Sequence, residues 1–404
     1  MDLFRDSLTS SCTRRNSLRT HSAPHFHHRI LHRPIPAHTL SEMPLLHPTR
    51  PDAPHLDRLF PNSAIPGGSF EVIGSHILNT NDGPQYPEAF FGEIPANLDL
   101  ARPSRALVRV PAGAISSDLV LRRNGHASNP LHANIGVPMV EDLHMISNPA
   151  ADADGNLFAM VSGPRGEQVP VSIFRIARDL QVTPFVRELM NVSALAFGRP
   201  DATGQADLYA SSRSEGTIYR ITPAGAVSTF AEGMGIATGI AFDPSGSLYV
   251  GDRSGTIFKL TPRGPGSTPE IFVFATLEPS VAFYHLCFRA DGVLMVTAPT
   301  TSSNQPIYAI DPHGTTTVFY RGLGRPQGMA FDTDGNLYVA ASLHGHRGIV
   351  RIWTSKETNS PAAELAVAGN DLVGLCFLDD GCCALATNTT IFHADLGIEG
   401  LPLI

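Results

Sequence analysis

The chain repeats itself. Residues 239 to 262 read GIAFDPSGSLYVGDRSGTIFKLTP, and residues 328 to 352 read GMAFDTDGNLYVAASLHGHRGIVRI. Aligned on itself, the C-terminal two thirds yields six units whose second strands are NLFAM (156–160), DLYAS (207–211), SLYVG (247–251), VLMVT (293–297), NLYVA (336–340) and CALAT (383–387). The equivalent positions Phe158, Tyr209, Tyr249, Met295, Tyr338 and Leu385 are spaced by 51, 40, 46, 43 and 47 residues. A period in the forties written wholly in short strands predicts a β-propeller. One such unit cannot cover its own hydrophobic face, so neighbours must stack around a ring. We therefore expect an all-β protein with a six-bladed β-propeller over residues 138–400, the stretch Val137 to Val140 completing the last blade.

Within a unit, a short apolar strand such as Gly239-Ile240-Ala241-Phe242 is expected nearest the central axis, where only small residues fit closely. A tight turn follows, at Asp154-Gly155, Ser245-Gly246, Asp291-Gly292, Asp334-Gly335 or Asp380-Gly381, where Gly supplies the positive φ a hairpin requires. The second strand alternates, Leu248 and Val250 on one face and Tyr249 on the other. Third and outermost strands, such as 256–260 and 271–274, close the blade.

Composition agrees. Of 404 residues, 42% are hydrophobic and only 16% charged, which suits a sizeable core. The 36 Gly and 33 Pro suit many turns. The formal charge of −8 argues against general nucleic-acid binding, which needs a basic face. No apolar run of about twenty residues exists, so no transmembrane helix is expected, and with no signal-peptide core the cytoplasm is the default compartment. The five cysteines, Cys12, Cys287, Cys376, Cys382 and Cys383, are odd in number and lack a CxxC pair, so reduced thiols in the core are expected rather than a disulfide framework or zinc site.

Two further regions precede the repeats. Residues 1–55, with SSCTRRNSLRTHSAPHFHHRILHRP, are rich in Arg, His, Ser and Pro without apolar periodicity and are expected to be disordered. Met43 is a candidate start codon, which would make the tail an artefact of gene calling. Residues 58–136 carry a Pro-Gly-Gly turn in LFPNSAIPGGSFEVIGSHI and short strands around Leu107 to Val110 and Leu119 to Leu121, as in a small β-sandwich. Pro61, Gly67-Gly68, Gly74, Val110 to Gly113 and Ser128-Asn129 make this stretch similar to TIG (immunoglobulin-like, plexin and transcription factor) domains. The resemblance implies a spacer or docking module.

AFDxxGxLYV (241–250, 330–339) and GDRSGTIFKL (251–260) make the repeats resemble NHL repeats and the superfamily of senescence marker protein-30, gluconolactonase and related six-bladed propellers. That fold gathers the loops leading into each first strand and out of each second strand at one mouth of the channel. Asn148, Thr238, His285 and Gln327 lead in, and Arg165, Arg213, Asp252, Arg253 and His344 lead out. The plainer reading is that such residues satisfy turn backbone and solvate the rim. The sharper one is a small polar or anionic ligand held by Arg forks and amides. The gluconolactonase resemblance implies a Ca²⁺ ion polarising a lactone, with Asn148 and Asp252 as candidate ligands. No Glu-Gly-Pro-type motif opens the first blade, however, and Thr238, Gln327 and Val373 stand where ligands are wanted. Asp252 and His285 form a candidate acid/base couple if both face the axis, against the plainer reading of His285 satisfied by backbone.

AADADGNL (150–157) and FDTDGNL (331–337) lack the Gly and Glu of a calcium loop and are read as hairpin turns. No GxSxG elbow occurs. The leading functional reading is a soluble binding protein recognising a small polar ligand or a partner loop at the channel mouth, with neither nucleic acid nor membrane as partner. The alternative is a Ca²⁺-assisted sugar-lactone hydrolase, and a third reading is a structural scaffold.

Overall fold

The repeated turns fold as hairpins, and their side chains show why. In a computed structural model describing residues 53–79, 86–164, 167–264, 267–299 and 304–401, Asp243 Oδ1 accepts the backbone N–H groups of Ser245 and Ser247, each at 2.9 Å. Gly246 takes a φ of +88° in the same turn, and the Tyr249 hydroxyl donates back to Asp243 Oδ2 at 3.3 Å. The second copy does the same, with Asp332 accepting from Asn336 N–H at 2.7 Å and from the Tyr338 hydroxyl at 3.2 Å. The Asp, Gly and Tyr of the motif are thus one local device. These loops are hairpin turns, as expected.

Each repeat becomes a four-stranded antiparallel sheet. The first comprises Ala150–Ala151, Leu157–Met160, Ile173–Ile176 and Val182–Val186. The second comprises Val192–Phe197, Leu208–Ser212, Thr217–Ile221 and Val227–Ala231, and the third Ala237–Phe242, Leu248–Asp252, Thr256–Thr261 and Glu270–Thr276. The fourth is His285–Phe288, Leu294–Thr297, Gln305–Ile310 and Thr316–Gly324. The fifth is Met329–Phe331, Leu337–Leu343, His346–Thr354 and Pro361–Ala368. In the sixth, Leu372–Phe377, Cys382–Thr387 and Ile391–Asp395 are joined by Val137–Val140, which pairs with the strand Ile391–Asp395. The start of the repeat region is thereby stitched to its end. The fold is all-β and β-propeller-like, with no α-helix among the described residues. No helix among them is long and apolar enough to cross a membrane.

The first strands of successive sheets pack side by side, and aromatic residues lock one sheet to the next. Tyr249 of the third sheet meets Phe288 of the fourth edge-on, with centroids 5.0 Å apart. Tyr209 meets Phe242 and Phe158 meets Phe197 in the same way, at 4.9 Å and 5.3 Å, and Tyr338 meets Phe377 at 5.2 Å. Such pairs contribute about 0.5–1.5 kcal/mol each beyond their buried area. Both faces of the second strands are therefore covered, and Leu248 to Asp252 are all buried rather than alternating with solvent. Cys287, Cys376 and Cys383 are free thiols within this packing. Cys382, the exception to the expectation of reduced thiols, is disulfide-bonded.

Before the ring lies a two-layer β unit, which begins at His55, three residues ahead of the boundary read from the sequence. Its layers pack Phe70, Val72, Phe91, Val108, Leu119 and Leu121 between them. Asn129 fastens its first strand, donating to Leu56 O and accepting from Leu56 N–H, both at 2.8 Å. The short strand Ser63–Ala64 pairs in parallel with Val367–Ala368 of the fifth sheet on one side and with Asn134–Ile135 on the other. Residues from Pro54 onward consequently form one compact unit. The proposed disordered tail falls almost entirely outside the described residues.

Candidate functional site

At one end of the ring, where first strands begin and second strands finish, side chains tie each sheet to the next. The Ser193 hydroxyl donates to Ala237 O at 2.9 Å and that of Ser211 to Thr238 O at 2.5 Å, joining sheets two and three. The Thr238 hydroxyl donates to Gly251 O at 2.8 Å and accepts from Tyr284 N–H at 3.2 Å, joining three and four. The Thr297 hydroxyl donates to Gln327 O at 2.9 Å, joining four and five. Asn148 Nδ2 donates to Met329 O at 2.8 Å and Oδ1 accepts from Leu375 N–H at 3.2 Å, tying the first repeat to the fifth and sixth. The approach is so close that a Cβ on Gly328 would lie 2.0 Å from Asn148 Oδ1.

The ring of polar residues that the sequence placed at the mouth thus divides by use. Thr238 and Asn148 are engaged in closing the ring. Asp252 is likewise engaged, Oδ1 accepting Ile236 N–H at 2.7 Å and Oδ2 accepting the Ser254 hydroxyl. Asp252 and His285 do not form the acid/base couple considered from the sequence: the carboxylate is held by its own loop, and only His285 lines the axial cavity. The donor set does not suit a calcium ion either, since Asn148 faces an inter-sheet seam and both Asp252 oxygens are occupied. Arg165 lies outside the described residues.

His285, Gln327 and Arg253 behave differently. His285 is 6% exposed and its ring has no hydrogen-bond partner among the described residues, contrary to the backbone-satisfied reading. Burial pushes its pKa down to about 4, so the imidazole is neutral at pH 7 and a weak base. It lines a cavity of about 180 Å³ on the axis, walled by Leu195, Ile240, Leu286, Phe288 and other apolar side chains, with Leu401 at the far end. Gln327 Oε1, Arg253 Nε and Ser162 Oγ are buried without a hydrogen-bond partner among the described residues. Ser162 was not singled out individually from the sequence, although it opens the exit loop SGPRGE (162–167) that carries Arg165.

Around them, Arg253 Nη2 donates to Val281 O at 3.1 Å. Arg213 Nη2 donates to Gly163 O at 2.9 Å, and its guanidinium sits 5.5 Å from the Phe283 ring centroid. His344 occupies the exposed tip of a two-residue hairpin, with φ of +50°, followed by Gly345 at +86°. Arg213, Arg253, His285 and Gln327 belong to the same end of the ring, whereas His344 projects beyond it on the extended strand Leu337–Leu343.

No known family's sequence pattern matches the chain. No curated protein matches it either. Among solved structures it is similar to a structural genomics protein of unknown function from Bacteroides thetaiotaomicron, with TM-score 0.51 and 14% identity over 86% of this chain and 98% of that one. It is also similar to a putative oxidoreductase (glucose dehydrogenase) from Thermus thermophilus, with TM-score 0.50 and 17% identity over 65% of this chain and 100% of that one. An auxiliary nutrient binding protein from Bacteroides thetaiotaomicron is similar at TM-score 0.48 and 11% identity, over 85% of this chain and 97% of that one. The first two likenesses support a β-propeller-like fold.

Proposed function

We propose that the chain is a binding protein on a six-bladed, NHL-type β-propeller, with a TIG-like, immunoglobulin-like module over 58–136. Its channel mouth takes a small polar molecule or a loop of a partner protein. One observation carries this reading: Ser162 Oγ, Arg253 Nε and Gln327 Oε1, from three different repeats, are buried at the same end of the ring without hydrogen-bond partners among the described residues. Each such group costs about 1–3 kcal/mol unless something else satisfies it. A ligand bearing acceptors for Arg253 and a donor for Gln327 would do so, with Arg213 adding positive charge beside them. The neutral His285 offers one nitrogen as donor and the other as acceptor, which suits recognition better than proton abstraction at pH 7.

The test is thermal-shift screening of the whole protein against sugars, phosphates and carboxylates. At least one compound is expected to raise the melting temperature, and Gln327→Leu and Arg253→Ala are expected to abolish that rise. Uniformly flat responses would remove the small-molecule site. The lactonase alternative has no cluster of metal-ligating side chains behind it among the described residues. Incubation with Ca²⁺ and a lactone panel is expected to release acid at the background rate only.

A further inference from the structure

The β unit and the fifth sheet share backbone hydrogen bonds along Ser63–Ala64, but beside that seam their surfaces part. The gap is a cleft of about 990 Å³, far larger than the axial cavity and separate from it. One wall comes from the strands His55–Phe60, Ser69–Ser75 and Arg105–Arg109 of the β unit. The other comes from Leu337–Leu343, His346–Thr354 and Pro361–Ala368 of the fifth sheet, and residues 396–399 form the floor.

Its chemistry is mixed in sign. On the β-unit wall, Arg105 Nε lies 2.5 Å from Glu71 Oε1. On the opposite wall, Arg351 Nη1 lies 3.5 Å from Glu364 Oε1, and Arg351 Nε is buried with no hydrogen-bond partner among the described residues. Arg58 adds a third guanidinium, and Asp334 and Glu399 add further carboxylates, while the Asp332 carboxylate at the cleft is held by its own turn. An anion would meet the carboxylates and a cation the guanidiniums, while an apolar ligand would strand both. Hydroxyl groups, each donor and acceptor at once, match interleaved guanidinium donors and carboxylate acceptors. The Phe60 ring, 40% exposed at the cleft, offers an apolar surface for the C–H face of a sugar ring. We propose that this cleft binds a neutral oligosaccharide, independently of the channel mouth.

The experiment is calorimetric titration of the full chain with maltotriose, cellotriose, xylotriose, mannotriose and chitotriose, with glucuronic acid and glucose 6-phosphate as anionic comparators. At least one neutral trisaccharide is expected to bind more tightly than either anion. Arg351→Ala is expected to weaken it about tenfold, as loss of a charge-assisted hydrogen bond does, and Arg58→Ala, an exposed change with little effect on folding, is expected to weaken it several-fold. Gln327→Leu is expected to leave it unchanged, which separates this cleft from the mouth. Absence of binding by all five trisaccharides, a preference for the anions, or binding unaffected by both Arg variants would overturn the proposal.

Discussion

His285 and Thr238 stand at neighbouring positions on the ring yet face opposite demands. Thr238 has both hydroxyl functions engaged between sheets. Thr238→Val keeps the shape but leaves Gly251 O and Tyr284 N–H buried without that partner, and is expected to cost about 1–3 kcal/mol, read as a lowered urea midpoint. His285 is held neutral by burial, its pKa lowered from 6.5 to about 4. Between those values the unfolded chain binds more protons than the folded one, so stability rises with pH and is lost as pH falls from 6.5 towards 4. The contribution from this residue is about 2 kcal/mol between pH 7 and pH 5. His393, also lowered by burial, adds to the slope with the same sign. Denaturant unfolding of His285→Leu at the two pH values is expected to show a drop smaller by about that amount. An unchanged drop would mean that the imidazole is solvated.

At the scale of strands, the repeat motif serves two ends. Asp and Gly shape the hairpin, while the Phe that closes a first strand and the aromatic of the preceding second strand form the contact between sheets. Phe288 pairs edge-on with Tyr249, which in turn meets Phe274 at 4.9 Å. Phe288→Ala is expected to cost about 3–5 kcal/mol, whereas Tyr249→Phe, which keeps the ring and loses one hydrogen bond to Asp243, is expected to cost about 1 kcal/mol. Comparable losses from the two variants, measured by equilibrium unfolding, would argue that the hairpin's hydroxyl bond matters as much as the ring contact between sheets. Backbone proximity matters as much. A Cβ on Gly68 would sit 2.4 Å from Ala368 O and 2.7 Å from its carbonyl carbon, with only backbone to yield. Gly68→Ala is therefore expected to loosen the seam between the β unit and the fifth sheet.

For the whole molecule, that seam and the shared connection through Gly136 into Val137–Val140 make the β unit part of the ring's closure. Gly136 N–H donates to Ala64 O at 2.8 Å, and the next four residues complete the sixth sheet. Scanning calorimetry of the chain is expected to give one cooperative transition, with Gly68→Ala lowering its midpoint. Two resolved transitions in the unaltered protein would show that unit and ring unfold independently. The unit pairs with the last two residues of the fifth sheet's outer strand, Val367–Ala368, and so covers that end of its edge.

The period of the repeats, the turn glycines and the pairing of Val137–Val140 with the last repeat were all legible in the sequence, because they follow from local turn chemistry and from the need of each sheet to be covered. The use of each polar side chain at the mouth was not. Thr238 and Gln327 each stand four residues before the Phe that closes their first strand and His285 three, and only the distance to the next sheet decides which is engaged. Asp252 looks available in sequence and is occupied by Ile236 N–H, sixteen residues earlier. The cleft beside Arg351 left no trace in any repeat, since its two walls lie more than two hundred residues apart. Periodicity is written in neighbouring residues, whereas a pocket is made where distant surfaces meet.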